Sequence, residues 1–273
     1  MGKKIIIFVL ITGILIISIW GPEELAEYQD RGTFNQIHVE PGPLTEEGFR
    51  YTLNSNEKLY ILSEALSSQK LSESQSGGRA YNPEAEADYQ QITGSYALVV
   101  NHRQSDEKEI TSEDIYRICN RELDLLVDSG ILPEGLAAVD AGAYDAVLYS
   151  AIDVLEPRNN VSVWKISLSN IQKHVNKQNR LIDAYIDADS GKIYEFYVRT
   201  QYEWAEIEPD ATIAAWREYM GLAAPFAYET ANPLLETTPY FKQYLFAGKG
   251  EGQTIVTVGF YEGINELFLR VSR

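Results

Sequence analysis

Hydrophobic residues follow three different patterns along this chain. Residues 5–20 form an uninterrupted apolar run, which has no polar face to turn toward water. A run of that length predicts a membrane helix rather than an amphipathic surface helix. Elsewhere, apolar residues three and four positions apart predict further helices. Those predicted helices are 57–68, 84–91 (short), 112–129 and Pro209–Met220.

Other segments carry alternating or short continuous apolar stretches bounded by turn residues, which is typical of strands. The predicted strands are 96–101, 144–155, 162–168, 180–186 and 192–200, with a hairpin of 254–261 and 265–271. Short connections favour antiparallel pairing, since parallel crossovers need a dozen residues or more. The sequence therefore predicts an α+β fold: an antiparallel sheet with packed helices, preceded by an N-terminal transmembrane helix.

The chain divides by composition and pattern into five regions. They are a signal-anchor helix (1–22), a linker (23–43), an N-terminal α/β segment (44–110), an α+β region (111–205) and a C-terminal helix plus hairpin (206–273). Within the N-terminal α/β segment, the polar stretch 72–83 is predicted to be an exposed loop. The helix ending in 126–133 and the helix ending in 219–225 each precede strands. Helix followed by strands is a common unit, and an internal duplication is the alternative explanation of this similarity.

The charges around the apolar run predict its orientation. Lys3 and Lys4 precede it, and no further lysine or arginine occurs until Arg31. Because positive charge stays in the cytoplasm, we expect a cytoplasmic amino terminus and an extracytoplasmic domain on a single-pass cell-membrane anchor. A cleaved signal peptide is the alternative, but Ile19 and Trp20 stand where a cleavage site needs small residues.

Composition limits the classes of partner and the folding chemistry. The chain has 40 acidic and 23 basic residues, a formal net charge of −17, which disfavours binding to nucleic acid. Cys119 is the single cysteine, so the chain forms no internal disulfide. It lies in a helical pattern and is predicted to be a small buried hydrophobe.

The most distinctive stretch of the extracytoplasmic part is 162–200. It contains Val163-Trp164-Lys165-Ile166 and then Ile186-Asp187-Ala188-Asp189-Ser190-Gly191-Lys192-Ile193. The aspartates and serine can bond their own backbone and Gly191 can take positive φ, so the second segment predicts a tight turn between two strands.

This stretch resembles the strand–turn–strand core of PepSY domains, and with the helix 112–129 the resemblance extends to about residues 112–200. Ser190 stands where the family usually has Thr, and 169–180 lengthens the connection between the strands. The resemblance implies an extracytoplasmic, non-catalytic module that inhibits, chaperones or regulates a partner, often a protease or an envelope signalling protein. It implies no catalytic residues.

A group of aromatic residues near the second strand of this hairpin is the candidate protein-contact surface. Tyr194, Tyr197, Tyr202 and Trp204 combine a broad apolar body with a polar tip, as recognition surfaces do. Cross-strand packing is the alternative role for the same residues. The predicted partner is a protein of the cell envelope, and residues 5–22 are predicted to contact the membrane.

Catalytic and metal signatures are missing from the sequence. Asp187-x-Asp189 opens like a calcium loop but lacks its glycine and glutamate positions. His38, His102 and His174 are scattered, and the glycine-rich segment 248–252 lacks the P-loop pattern. We therefore expect no enzyme, cofactor or metal.

The predicted function is a membrane-anchored, extracytoplasmic binding or regulatory protein of envelope signalling, protease control or cell-wall machinery. The alternatives are a secreted ligand- or carbohydrate-binding protein and, less favoured, a cryptic hydrolase.

Overall fold

Nine antiparallel strands and three α-helices make up the part of the chain that the computed structural model describes, which is residues 51–76, 95–101, 109–169, 179–228 and 237–273. The helices are α1 (Ser55–Ser76), α2 (Ile115–Asp128) and α3 (Pro209–Met220), with a 3-10 turn at Trp204–Glu206. The strands are β1 (Tyr96–Val100), β2 (Tyr144–Asp153), β3 (Asn160–Leu168), β4 (Arg180–Asp187), β5 (Ile193–Arg199), β6 (Phe226–Tyr228), β7 (Phe241–Ala247), β8 (Gln253–Tyr261) and β9 (Glu266–Ser272). The predicted α+β class with an antiparallel sheet and packed helices is confirmed.

The sheet is built from two meanders that meet through their last strands. Its order is β1-β2-β3-β4-β5-β9-β8-β7-β6, so β5 pairs antiparallel with β9 in the middle. Helix α2 precedes the meander β2–β5, and α3 precedes the meander β6–β9. The weak similarity in the sequence therefore corresponds to a repeated topology, one helix followed by four strands.

Helix α1 lies between two portions of this sheet. It contacts β1, β2 and β3 on one side and β7, β8 and β9 on the other. All six residues from Ile61 to Leu66 are buried, including Ser63 and Glu64. Ser63 shares a hydrogen bond with Thr254 of β8, and Arg273 forms an ion pair with Glu64. A helix enclosed in this way contributes apolar area on all sides rather than along one stripe.

Helix α2 begins three residues later than its pattern predicts. Residues 111–114 form a turn, in which Thr111 Oγ1 accepts a hydrogen bond from the Asp114 N–H. Ser112, the first residue of the predicted helix, therefore lies in the turn that precedes it, because the helix begins only at Ile115. At the other end, Gly130 takes φ +71°, a conformation that glycine adopts readily. This allows the Ile131 N–H to donate to the Leu126 carbonyl and cap the end of the helix.

Helix α3 has the bounds that the sequence predicts. Pro209 occupies the first turn, where its missing N–H costs no helical hydrogen bond. Gly221 ends the helix in the left-handed conformation. The buried Trp216 packs edge-on against Phe246, and its indole N–H donates to the Ile193 carbonyl. The helix is thereby fixed to strands of both meanders.

Several predicted boundaries need correction. Strands β6 and β7 were not predicted, because 241–247 mixes polar and apolar residues without clean alternation. The predicted loop 72–83 is helical up to Ser76, since α1 runs further than its apolar pattern.

The predicted helix 84–91 and the predicted anchor 5–22 lie outside the described residues. Among the helices that the structure does describe, none has the length and apolarity required to cross a membrane.

Candidate functional site

Tyr194 is not part of any surface. Its side chain is 1% exposed, and its hydroxyl donates a 2.6 Å hydrogen bond to Asp187 Oδ2. Burial, reinforced by the neighbouring carboxylate, raises the pKa of this phenol well above its ordinary value. The prediction that Tyr194 contacts a partner is therefore wrong, because this residue lies on the same face of β5 as the buried Phe196 and Val198.

Tyr197 belongs to a row of three stacked rings. It stacks on Phe268 of β9 at 5.7 Å between ring centroids, and Tyr261 of β8 stacks on the same ring at 4.7 Å. Phe268, the middle ring, is fully buried. It also lies against Gly259 of β8, where a Cβ atom would collide with the Phe268 ring. Tyr197 is half-buried, so most of its ring serves cross-strand packing and only part of it is accessible to a partner.

Tyr202 and Trp204 lie just beyond the carboxyl end of β5. The Thr200 N–H donates to the Asn265 carbonyl at 2.8 Å, which joins this segment to the turn between β8 and β9. The Tyr202 N–H in turn bonds to Thr200 Oγ1. Tyr202 is 40% exposed, whereas Trp204 is half-buried. The structure therefore places both residues at one end of the sheet.

Two residues that the sequence analysis missed complete this group. Tyr240, which precedes β7, lies 6.3 Å from Trp204 between ring centroids. Ile264, in the turn between β8 and β9, is 54% exposed. Tyr240 was missed because β7 was not predicted. Ile264 was missed because a lone isoleucine in a turn carries no signal until the turn is placed beside Thr200. We call Tyr202, Trp204, Tyr240 and Ile264 the aromatic end.

Carboxylates surround the aromatic end. Glu203 and Glu206 form a reciprocal capping box on the 3-10 turn, and both remain exposed. Glu262 is exposed as well and accepts a hydrogen bond from the Tyr240 phenol, which raises the pKa of that phenol. Apolar rings within an acidic rim offer contact area to an apolar surface and attraction to lysine or arginine.

The turn between β4 and β5 has a structural role. Asp187 Oδ1 accepts hydrogen bonds from the N–H groups of Asp189 and Ser190, and Gly191 takes φ +82° as predicted. The other oxygen of Asp187 is engaged by Tyr194 and by Lys58 of α1, at 3.0 Å. These contacts occupy the carboxylate in fixing the turn and in holding α1.

The described residues hold no cluster of three or more histidine, cysteine or acidic side chains suited to a metal ion. All three histidines lie outside the described residues. Cys119 is buried as predicted, and burial raises the pKa of its thiol to about 12.

Segment 248–252 forms the β7–β8 turn, where Gly248 and Gly252 lie against the Tyr60 ring. Close packing explains these two glycines.

Comparison with known proteins found no matching family model, no matching curated protein and no matching solved structure.

Proposed function

We propose that this protein is a membrane-anchored, extracytoplasmic binding or regulatory protein, which contacts a basic envelope protein through the aromatic end. The observation that carries the proposal is the grouping of Tyr202, Trp204, Tyr240 and Ile264 within the acidic rim. Tyr202 and Ile264 are exposed and the other two rings are half-buried, and a group of accessible aromatic and aliphatic side chains at a single place is typical of the centre of a protein interface.

Charge supports a basic partner over a neutral one. The rim carries Glu203, Glu206 and Glu262, and the whole chain has a formal net charge of −17. Opposite charge on the partner would speed association and weaken the complex as salt rises. The predicted anchor at 5–22 would hold the domain near the membrane and increase the local concentration of membrane partners.

The PepSY resemblance and the anchor remain part of the proposal. The quoted residues 163–166 lie in β3, and 186–193 span the turn between β4 and β5, where the resemblance expects a strand and a hairpin. A secreted product with a cleaved signal would still present the aromatic end. The mass of the mature protein in membrane and soluble fractions distinguishes these two forms.

The test uses the full chain with a carboxy-terminal tag, crosslinked in cells and identified by mass spectrometry. A partner that fits the proposal is recovered with the wild type and lost with Tyr202→Ala and with Glu262→Lys. Leu155→Ala is the matched apolar control, since Leu155 is 83% exposed in the turn between β2 and β3. Glu113→Lys is the matched charge control, at an exposed position beside α2.

Two readouts separate binding from folding. We expect unchanged melting temperatures for Tyr202→Ala and both controls, because exposed substitutions usually change stability by less than about 0.5 kcal/mol. We also expect the crosslinked yield to fall between about 50 and 200 mM salt, where screening lengths shorten. If all four variants recover the same neighbours as the wild type, the aromatic end is not the contact surface.

A further inference from the structure

A cavity of about 330 Å³ opens between α3 and the sheet edge at β6 and β7. Its helical wall is a single stripe of α3, and its other wall is formed where β6 pairs with β7. The lining residues are Asp210, Ile213, Ala214, Arg217, Pro225, Phe226 and Tyr244. The volume lies at the small end of the range for ligand sites, about 300–1,000 Å³.

The acidic residue of the cavity is already matched. Asp210 Oδ2 forms an ion pair with Lys242 at 2.6 Å, and its Oδ1 accepts a hydrogen bond from the Tyr244 phenol at 2.8 Å. Both contacts lower the pKa of the Asp210 carboxyl, so it stays ionised. Its charge is therefore matched by Lys242 and is not available to attract a cationic ligand.

Arg217 differs from Asp210 in having no side-chain partner among the residues that the structure describes. Within the described part of the chain its guanidinium makes no hydrogen bond and no ion pair. The positions one turn away are Ile213, Ala214, Met220 and Gly221, so no carboxylate lies at these spacings from Arg217. An uncompensated cation beside an apolar wall is notable in a chain with a net charge of −17.

We propose that this cavity binds a small apolar carboxylate, with its carboxylate on the Arg217 guanidinium and its apolar part against Ile213, Ala214, Pro225 and Phe226. Guanidinium and carboxylate match in charge and in bidentate hydrogen-bond geometry. An amine would meet a like charge, and a neutral ligand would leave the guanidinium unused. This inference does not depend on the aromatic end or on the proposed function.

The test probes the full chain in phosphatidylcholine nanodiscs with 4-(trifluoromethyl)phenylacetate, observed by fluorine NMR. A ligand with about 14 non-hydrogen atoms at about 0.3 kcal/mol per atom should have a Kd of about 1 mM. We expect saturable binding that Arg217→Gln weakens at least about tenfold, a difference of about 1.4 kcal/mol. The corresponding alcohol, 2-[4-(trifluoromethyl)phenyl]ethanol, should bind as weakly to the wild type as the acid binds to Arg217→Gln.

Two further variants make the test specific. Ala214→Leu should weaken the acid by filling the cavity while leaving Arg217 intact. Arg117→Gln is the matched control, because Arg117 is an exposed arginine of α2 that pairs with Asp114. The proposal is overturned by equal binding of acid and alcohol, by unchanged binding in Arg217→Gln, or by no saturable binding below about 10 mM. If Arg217→Gln lowers the melting temperature but leaves binding of the acid unchanged, the role of Arg217 is instead to stabilise the carboxyl end of α3 through the helix dipole.

Discussion

The Tyr194 hydroxyl donates a 2.6 Å hydrogen bond to Asp187, and both side chains are buried although the two residues stand on neighbouring strands at a tight turn. The same carboxylate holds Lys58 of α1 at 3.0 Å. One aspartate thus connects the β4–β5 turn, the core and the enclosed helix. The residue that stabilises the local turn therefore also holds α1 against the sheet.

Asp187→Asn is expected to destabilise the fold by about 2–3 kcal/mol. The amide keeps the shape but loses the charge that Lys58 and Tyr194 share, and hydrogen bonds to charged groups contribute about 1.5–3 kcal/mol each. Urea unfolding followed by tryptophan fluorescence measures the change. Asp124→Asn, at an exposed position of α2, is the control and should unfold as the wild type does. Equal midpoints for both variants would show that Asp187 anchors nothing.

The Lys58 contact predicts a pH dependence at the alkaline end. Burial alone lowers the pKa of this ammonium, but Asp187 and Asp189 outweigh burial, so its folded pKa lies above the ordinary value of 10.5. A raised pKa stabilises the fold fully below the unfolded value, and that contribution is lost as pH rises through the folded value.

The stability advantage of the wild type over Lys58→Met should therefore be constant from about pH 7 to 9 and should shrink above about pH 10.5. Chemical unfolding of both proteins across this range measures the difference, so that titration of other groups cancels. An advantage that grew with pH would contradict the assignment of the ion pair.

Tyr219 of α3 connects three elements through one hydroxyl. It donates to Glu122 of α2 at 2.9 Å and accepts from the Ile193 N–H of β5 at 2.8 Å. Tyr219→Phe removes both bonds and leaves a buried backbone donor without its acceptor, which should cost about 1–3 kcal/mol. The matched control is Tyr51→Phe, a 46% exposed ring, with an expected cost below about 0.5 kcal/mol. Thermal unfolding distinguishes them, and similar costs would rule out the three-way contact.

Cys119 should be chemically inert in the folded protein. Burial, with a smaller effect of Glu122, raises the pKa of its thiol to about 12, and the thiolate is the reactive form. We expect negligible reaction with a thiol-specific disulfide reagent at pH 8 and one equivalent of reaction per chain in 8 M urea, roughly as a free thiol with a pKa of about 8.5 behaves. Fast labelling under native conditions would mean that α2 opens readily.

Much of the fold follows from local pattern. The spacing of apolar residues predicts the existence of α2, and Pro209 together with that spacing predicts both ends of α3. Alternation predicts strands β2–β5 and the closing hairpin, because each of these segments has its own periodicity and turn residues. The segment Asp187–Gly191 predicts a turn from side-chain and backbone chemistry alone.

Tertiary structure decided the rest, because the deciding contacts join residues distant in the sequence. Tyr194 and Tyr202 look alike in the sequence, yet the first lies on the buried face of β5, while the second lies beyond the end of the strand and is exposed. Tyr240 and Ile264 join Trp204 only when the β8–β9 turn meets Thr200. The mixed sequence of β7 becomes a strand by pairing with β8. Local pattern thus determined most of the helices and strands, whereas long-range pairing determined β6, β7 and which aromatic side chains remain exposed.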